Sequence, residues 1–214
     1  MKPITIELEQ SFTAAVRPSQ RVCEVAAMFG LGVDESREIE VVPPTAVTVE
    51  PAKLIFITGQ SGGGKSTMLR LIDEQLAPRD DVRLIRFDPR GVRDDSRPIV
   101  EAVGRTLEHA THCLALAGLS DAFVMLRKPG ELSDGQRYRY ALARAIDATD
   151  QRDDRLTVVL ADEFGSTLDR QTAKVIARNV RKWTRRSKVC FIAATTHDDL
   201  LETLEPDELF VLGR

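Results

Sequence analysis

Gly59-Gln60-Ser61-Gly62-Gly63-Gly64-Lys65-Ser66-Thr67 decides the fold. The stretch fits G-x-x-x-x-G-K-[ST], a phosphate-binding loop set between a strand and a helix. Both flanks agree with that placement. Leu54, Ile55, Phe56 and Ile57 form a short apolar run that reads as a buried strand, and from Ser66 onward Met68, Leu69, Leu71, Ile72 and Leu76 recur at helical spacing. Glycines let the backbone curl so that successive N–H groups point at an anion. The helix N-terminus adds unpaired donors and partial positive charge. In this motif Lys65 reaches the β- and γ-phosphates of a nucleotide and the Ser66 hydroxyl ligates Mg²⁺. A chance glycine turn is the bland alternative, and the correct strand and helix on either side argue against it.

The rest of the composition bounds the answer. A chain of 214 residues has room for one large α/β domain. A hydrophobic content of 43% and a charged content of 29% are ordinary for a globular protein. A net charge of −3 gives no global field that favours nucleic acid, so such binding would need a local patch. Cys23, Cys113 and Cys190 are scattered, with no C-x-x-C pair, which suits a reducing compartment and argues against zinc. No stretch approaches the roughly 20 apolar residues of a membrane span, and no signal-length run follows Met1. A cytoplasmic location is expected.

Strand and helix signals alternate along the chain. Residues 4–16 read as a strand or hairpin. Ser19 caps a short helix from Gln20 to Phe29 with Val22, Val25, Ala26 and Phe29 as its apolar stripe, and Gly30 ends it. Glu38–Val42 and Ala46–Val49 read as strands around Pro43-Pro44, an antiparallel layer leaning on the loop's core. Val82–Phe87 reads as a strand and residues 88–97 as loop. Helical segments follow from Pro98 to about Ala117 and from Ser133 to about Ala148. Thr157–Ala161, Val189–Ala194 and Leu209–Leu212 read as buried strands, with a helix carrying Ala173, Ile176, Val180 and Trp183 between the first two. Such alternation means a parallel sheet with crossovers. The expected fold is an α/β P-loop NTPase: a mainly parallel central sheet, an N-terminal antiparallel β layer and a reduced helical subdomain. As one domain it divides into an N-terminal layer over 1–52, a core over 53–97 and 149–214, and a helical subdomain over 98–148.

Val158-Val159-Leu160-Ala161-Asp162-Glu163 is an apolar strand ending in two carboxylates, the Walker B pattern. Such a strand holds Asp162 at the sheet's C-terminal edge, where the glycine loop also opens, so Asp162 can hold Mg²⁺. Alternation turns Glu163 the other way from Asp162, placed to polarise an attacking water. Leu132-Ser133-Asp134-Gly135-Gln136 follows a different logic: Ser133 is a good N-cap and Gln136 completes a capping box. That reading needs nothing beyond a well-capped helix. Yet Gly135 and the Ser133 hydroxyl at a positive helix end also make a second anion site. Two head-to-tail chains would use it, each closing on the other's glycine loop.

This motif, with Arg137-Tyr138-Arg139-Tyr140-Ala141-Leu142-Ala143-Arg144-Ala145-Ile146 after it, resembles the signature motif and helix of ATP-binding cassette (ABC) ATPases. Ser166-Thr167-Leu168-Asp169 resembles that family's D-loop, and Thr195-Thr196-His197 its switch histidine. The resemblance spans about Ala46 to Arg214. It implies an ATPase that works as a homodimer around two Mg·ATP. Gly59–Thr67, Ser133, Asp134, Gly135, Gln136 and Asp169 would then meet nucleotide, with Lys65, Glu163 and His197 catalytic and Ser66 and Asp162 holding Mg²⁺.

Departures from the family pattern point away from transport. The family's Q-loop glutamine is absent, Asp88 standing in its place in Phe87-Asp88-Pro89 as a substitute ligand. Phe164 stands where transport cassettes usually have proline. The segment from Lys65 to Ser133 is shorter than in such cassettes. No Tyr stands upstream to stack on adenine, leaving Phe12 and Phe29 as candidates. With Met28-Phe29-Gly30-Leu31-Gly32 upstream, the chain is similar to a soluble group of cassettes sometimes fused to a predicted acetyltransferase. The expected role is therefore a soluble, non-transport process with a soluble protein partner. A subunit of an ABC transporter with a membrane partner is the first alternative. A nucleic-acid clamp or switch is the second, using the basic run Arg178, Arg181, Lys182, Arg185, Arg186 and Lys188, which also reads as a solvated helix end. His109, His112 and Cys113 share one helix turn, with too few ligands in sight for a metal.

Overall fold

The apolar runs on either side of the glycine loop become neighbours in one parallel sheet. In this computed structural model, residues 2–14, 17–32, 37–92, 95–150 and 154–213 are described. In chain order the elements are β1 (Ile4–Ala14), α1 (Gln20–Met28), β2 (Arg37–Val49), β3 (Leu54–Gly59), α2 (Lys65–Leu76) and β4 (Val82–Phe87). Then come α3 (Leu107–Leu116), α4 (Ala122–Met125), α5 (Asp134–Thr149), β5 (Leu156–Ala161), α6 (Arg170–Arg186), β6 (Val189–Ala194), α7 (Leu201–Leu204) and β7 (Glu208–Leu212). The five-stranded sheet runs β4-β5-β6-β3-β7 with every neighbouring pair parallel. The first two strands in sequence form a separate, antiparallel two-stranded layer, with Ile4 of β1 opposite Val49 of β2.

Strands covered on both faces lose the polar/apolar alternation, and β5 and β6 are buried at all six positions each. Alternate residues therefore feed two cores. Phe56, Val159, Ala161, Phe191 and Ala193 point into the larger one, with α5 and α6. Ile55, Ile57, Val158, Leu160, Cys190 and Ile192 point into the other, against Met68, Leu69, Ile72 and Leu76 of α2. Ile6 and Leu8 of β1 and Val42, Val47 and Val49 of β2 join that second core, so the antiparallel layer does lean on α2.

Four expectations change. Leu209–Leu212, expected as a buried strand, lies in the edge strand β7 with Leu209 and Val211 exposed, because only one side of that strand has a neighbour. The two short strands around Pro43-Pro44 form one 13-residue strand, and the prolines are tolerated because β2 has a single partner. Ser19 caps α1, but no residue of that helix is buried: Val25 and Phe29 are 54% and 74% exposed, so its apolar stripe meets solvent rather than a core. The helix expected from Pro98 shrinks to Leu107–Leu116. Gly104 at φ +74° forces a turn before it, and Thr106 then caps the new start by accepting from His109 N–H at 3.2 Å.

Candidate nucleotide site

Helices α1, α3, α5 and α6 begin under a side-chain cap, from Ser19, Thr106, Ser133 and Asp169. Helix α2 does not. Its N-cap is Gly64 in the left-handed region, with no side-chain hydrogen bond. The N–H groups at the start of α2 are thus left without a side-chain partner, which is what an anion needs. A side chain at Gly64 is excluded twice: φ is +95°, and a Cβ there would lie 2.5 Å from the Val41 carbonyl oxygen. Lys65 is buried and turns back over the loop, donating to the carbonyls of Gly59 at 2.9 Å and Gln60 at 2.6 Å.

Above this loop lies a cleft of about 730 Å³. Ser61, Gly62, Gly64, Lys65, Ser66 and Thr67 line it on one side, Asp162, Glu163, Ser166, Thr195 and Thr196 on the other. Ser66 and Asp162, both exposed, bring hard oxygen donors into one space, the donor type that suits Mg²⁺. Glu163 departs from the expectation of alternation. Its φ of +50° is left-handed, unusual for a residue with a side chain, and both Asp162 and Glu163 line this cleft. The Asp162 carboxylate holds the turn by accepting from Glu163 N–H at 2.9 Å.

A second cleft of about 720 Å³ adjoins the first and shares Asp162, Glu163 and Ser166 with it. Asp88 stands here, not beside the glycine loop, and accepts from Arg90 N–H at 2.9 Å. Asp88 thus shares this second cleft with Asp162, and one oxygen of its carboxylate shapes its own turn. Arg90, which sequence reasoning missed, donates to the Glu163 carboxylate at 3.2 Å. It could not have been found from spacing, because the two residues meet only through the fold.

Of the signature residues, only Asp134 reaches the second cleft; Ser133, Gly135 and Gln136 line neither. Ser133 N–H donates to Gln136 Oε1 at 3.0 Å, and Ser133 Oγ accepts from Gln136 N–H at 3.4 Å, completing the capping box. A Cβ on Gly135 would meet nothing closer than Leu168 at 3.7 Å, so this chain alone does not require glycine there. Asp169 lines neither cleft. It caps α6 by accepting from Thr172 N–H at 2.9 Å, and the Thr172 hydroxyl, with that N–H second, holds its carboxyl below the ordinary range. His197 is half-buried and likewise outside both clefts, its N–H donating to Thr195 Oγ1 at 3.2 Å. Phe12 lines the first cleft and Phe29 does not.

A family model described as an AAA domain matches residues 49–204. The chain belongs to the AAA domain family. It is similar to a methionine import ATP-binding protein, MetN 2, of Pseudomonas entomophila (strain L48), at 27% identity over 200 residues, covering 78% of this chain and 57% of that protein. MetN 1 of Pseudomonas putida (strain KT2440) is 28% identical over 198 residues, covering 77% and 57%. The chain thus spans a little over half the length of these curated relatives. Among solved structures it resembles the dimeric form of MJ0796, a bacterial ABC transporter cassette, with TM-score 0.61 and 20% identity over 82% of this chain and 88% of that one. A post-hydrolysis dimer of the same cassette bound to ADP and Pi gives TM-score 0.62 and 18% identity, over 98% and 94%. This AAA-domain chain therefore has the ABC cassette fold. The relatives are transport proteins by name, and the expected kinship with an acetyltransferase-fused group finds no support among them. Among the described residues no helix is long and apolar enough to cross a membrane.

Proposed function

We propose that the chain binds and hydrolyses ATP as a head-to-tail dimer and serves as the ATP-binding subunit of a membrane transporter. The observation that carries the dimer is the separation within one chain: Ser133, Gly135 and Gln136 lie outside the cleft over the glycine loop. A second copy supplies them from across the interface. The uncapped α2 terminus and Lys65 receive the phosphates, Lys65 leaving the carbonyls of Gly59 and Gln60 to do so. Ser66 and Asp162 would hold Mg²⁺, which when bound neutralises phosphate charge. Glu163 orients the attacking water, and Phe12 offers the base an aromatic face. Arg90 donates to the Glu163 carboxylate at 3.2 Å and must release that oxygen for a water to take its place.

Transport is favoured over the soluble process expected above because the named relatives import methionine or belong to transporters. The helical subdomain also exposes Leu107, Phe123 and Leu126, at 72%, 81% and 66%, apolar surface for a partner to cover. The nucleic-acid reading is weakened because two residues of its basic run are paired within the chain, Arg181 with Asp207 at 2.7 Å and Arg185 with Glu205 at 2.9 Å. The soluble reading keeps the turn at Asp88 and Arg90 in place of a Q-loop glutamine, together with Phe164 and the short segment from Lys65 to Ser133.

Glu163→Gln should bind ATP, stall turnover and run as a dimer only with ATP in light scattering after size exclusion. A monomer under ATP, or undiminished turnover, overturns the site. Purifying the tagged variant from mild-detergent lysate separates the couplings: a stoichiometric multi-span membrane protein supports transport, and recovery without one returns the soluble reading.

A further inference from the structure

We propose that His109, Cys113 and Asp147 form a binding site for a thiophilic divalent cation, zinc in preference to magnesium, at the junction of α3 and the end of α5. Nothing in the nucleotide chemistry uses these residues, and none lines either cleft of that site.

On α3, His109 and Cys113 stand four residues apart and so share a face. In sequence they lack further ligands. Packing of α3 on α5 supplies them, because Asp147 in the last turn of α5 and its C-cap Asp150 come against His109. His112, the third residue of the sequence cluster, is exposed and is not needed. The ligand atoms of His109, Cys113 and Asp147 all lie within 4.8 Å of one another. Nitrogen and oxygen ligands on a tetrahedral zinc, each about 2.1 Å from the metal, stand about 3.4 Å apart. His109 Nδ1 and Asp147 Oδ1 stand 3.6 Å apart, too far for a hydrogen bond but close to that spacing. The sulfur needs to close by only about 1 Å to reach its own distance, within reach of a rotamer adjustment.

The surroundings add a second argument. The other ring nitrogen of His109 faces Asp150 Oδ2 at 3.5 Å. With Nδ1 on a metal, Nε2–H has a carboxylate to hold it, the usual support for a metal-bound imidazole. Helix α5 ends here with no basic residue in its last turn, so its carbonyl end adds to the negative potential of Asp147 and Asp150. A cleft of about 400 Å³, which also presents Arg155 and Lys188, leaves the fourth coordination position open to water. Sulfur, nitrogen and oxygen together select zinc-like ions, whereas magnesium and calcium take oxygen. On binding, the Cys113 thiol gives its proton to solvent, and one thiolate and one carboxylate balance the two charges of the ion.

The probe is Co²⁺, titrated into the untagged, chelator-treated, nucleotide-free full chain carrying Cys23→Ser, since Cys23 is exposed. One equivalent should produce a near-ultraviolet thiolate-to-cobalt band and tetrahedral visible absorption, both erased by zinc. Cys113→Ser should lose the band. His109→Gln and Asp147→Asn should weaken zinc binding by about 10-fold or more. These two positions are part-exposed, so they carry the test if the buried Cys113 variant does not fold. Absence of the thiolate band, or unchanged zinc affinity in both His109→Gln and Asp147→Asn, would overturn the site.

Discussion

Single backbone positions carry the candidate site. Gly64→Ala would force a left-handed residue with a Cβ into the Val41 carbonyl, and a strained non-glycine residue there costs about 1–3 kcal/mol. Tight nucleotide binding should be lost in equilibrium titration with a fluorescent ATP analogue, with a lower denaturation midpoint. Lys65→Ala should abolish the same binding without that stability loss, because its amine bonds only two loop carbonyls. If the Lys65 variant binds as tightly as the parent, Gly59–Thr67 is not the phosphate site. Tyr138 works differently. Its ring meets Phe87 edge-on at 4.9 Å, and its hydroxyl accepts from Gly165 N–H at 2.7 Å. The signature helix, the end of β4 and the turn after Glu163 are thereby one unit. Tyr138→Phe should cost about 1–3 kcal/mol in urea unfolding, the penalty of an unpaired buried N–H. A cost near zero would mean water replaces the hydroxyl.

At the level of elements, α6 is moored to the sheet by charge. Both Nη atoms of Arg181 reach the Asp207 carboxylate, at 2.7 and 2.8 Å, and Asp207 also accepts from Leu54 N–H at the start of β3. Arg181 is buried, whereas the Asp207 side chain is 39% exposed. Asp207→Asn should therefore cost about 2 kcal/mol, less than a fully buried pair because solvent screens one partner. The guanidinium holds the Asp207 carboxyl below its ordinary value. A depressed folded value means stability that is whole above the unfolded value near 3.9 and lost as pH falls through the folded one. The stability difference between parent and variant should thus shrink below about pH 4. A gap that stays constant from pH 7 to pH 3 would show the pair contributes nothing through charge.

For the whole molecule, the question is what completes the cleft. Ser133→Arg should leave nucleotide binding to the monomer intact and block ATP-dependent dimerisation, with turnover lost. Normal hydrolysis by that variant would reduce the signature stretch to a capped helix. Much of this was readable from local pattern. The glycine loop, the apolar strand before Asp162 and Glu163, and the Ser133–Gln136 capping box rest on spacing and on side chains within a few residues, so chain order reveals them. Periodicity likewise announced the strands of the parallel sheet, since strands buried on both faces must be apolar throughout. Other features depend on residues far apart in the chain meeting. The left-handed turn that brings Glu163 back to the cleft, Arg90 against its carboxylate and Asp147 beside His109 have no local signature. The exposed stripe of α1 shows the same limit from the other side: a 3.6-residue period says that a helix has an apolar face, but only packing decides whether anything covers it.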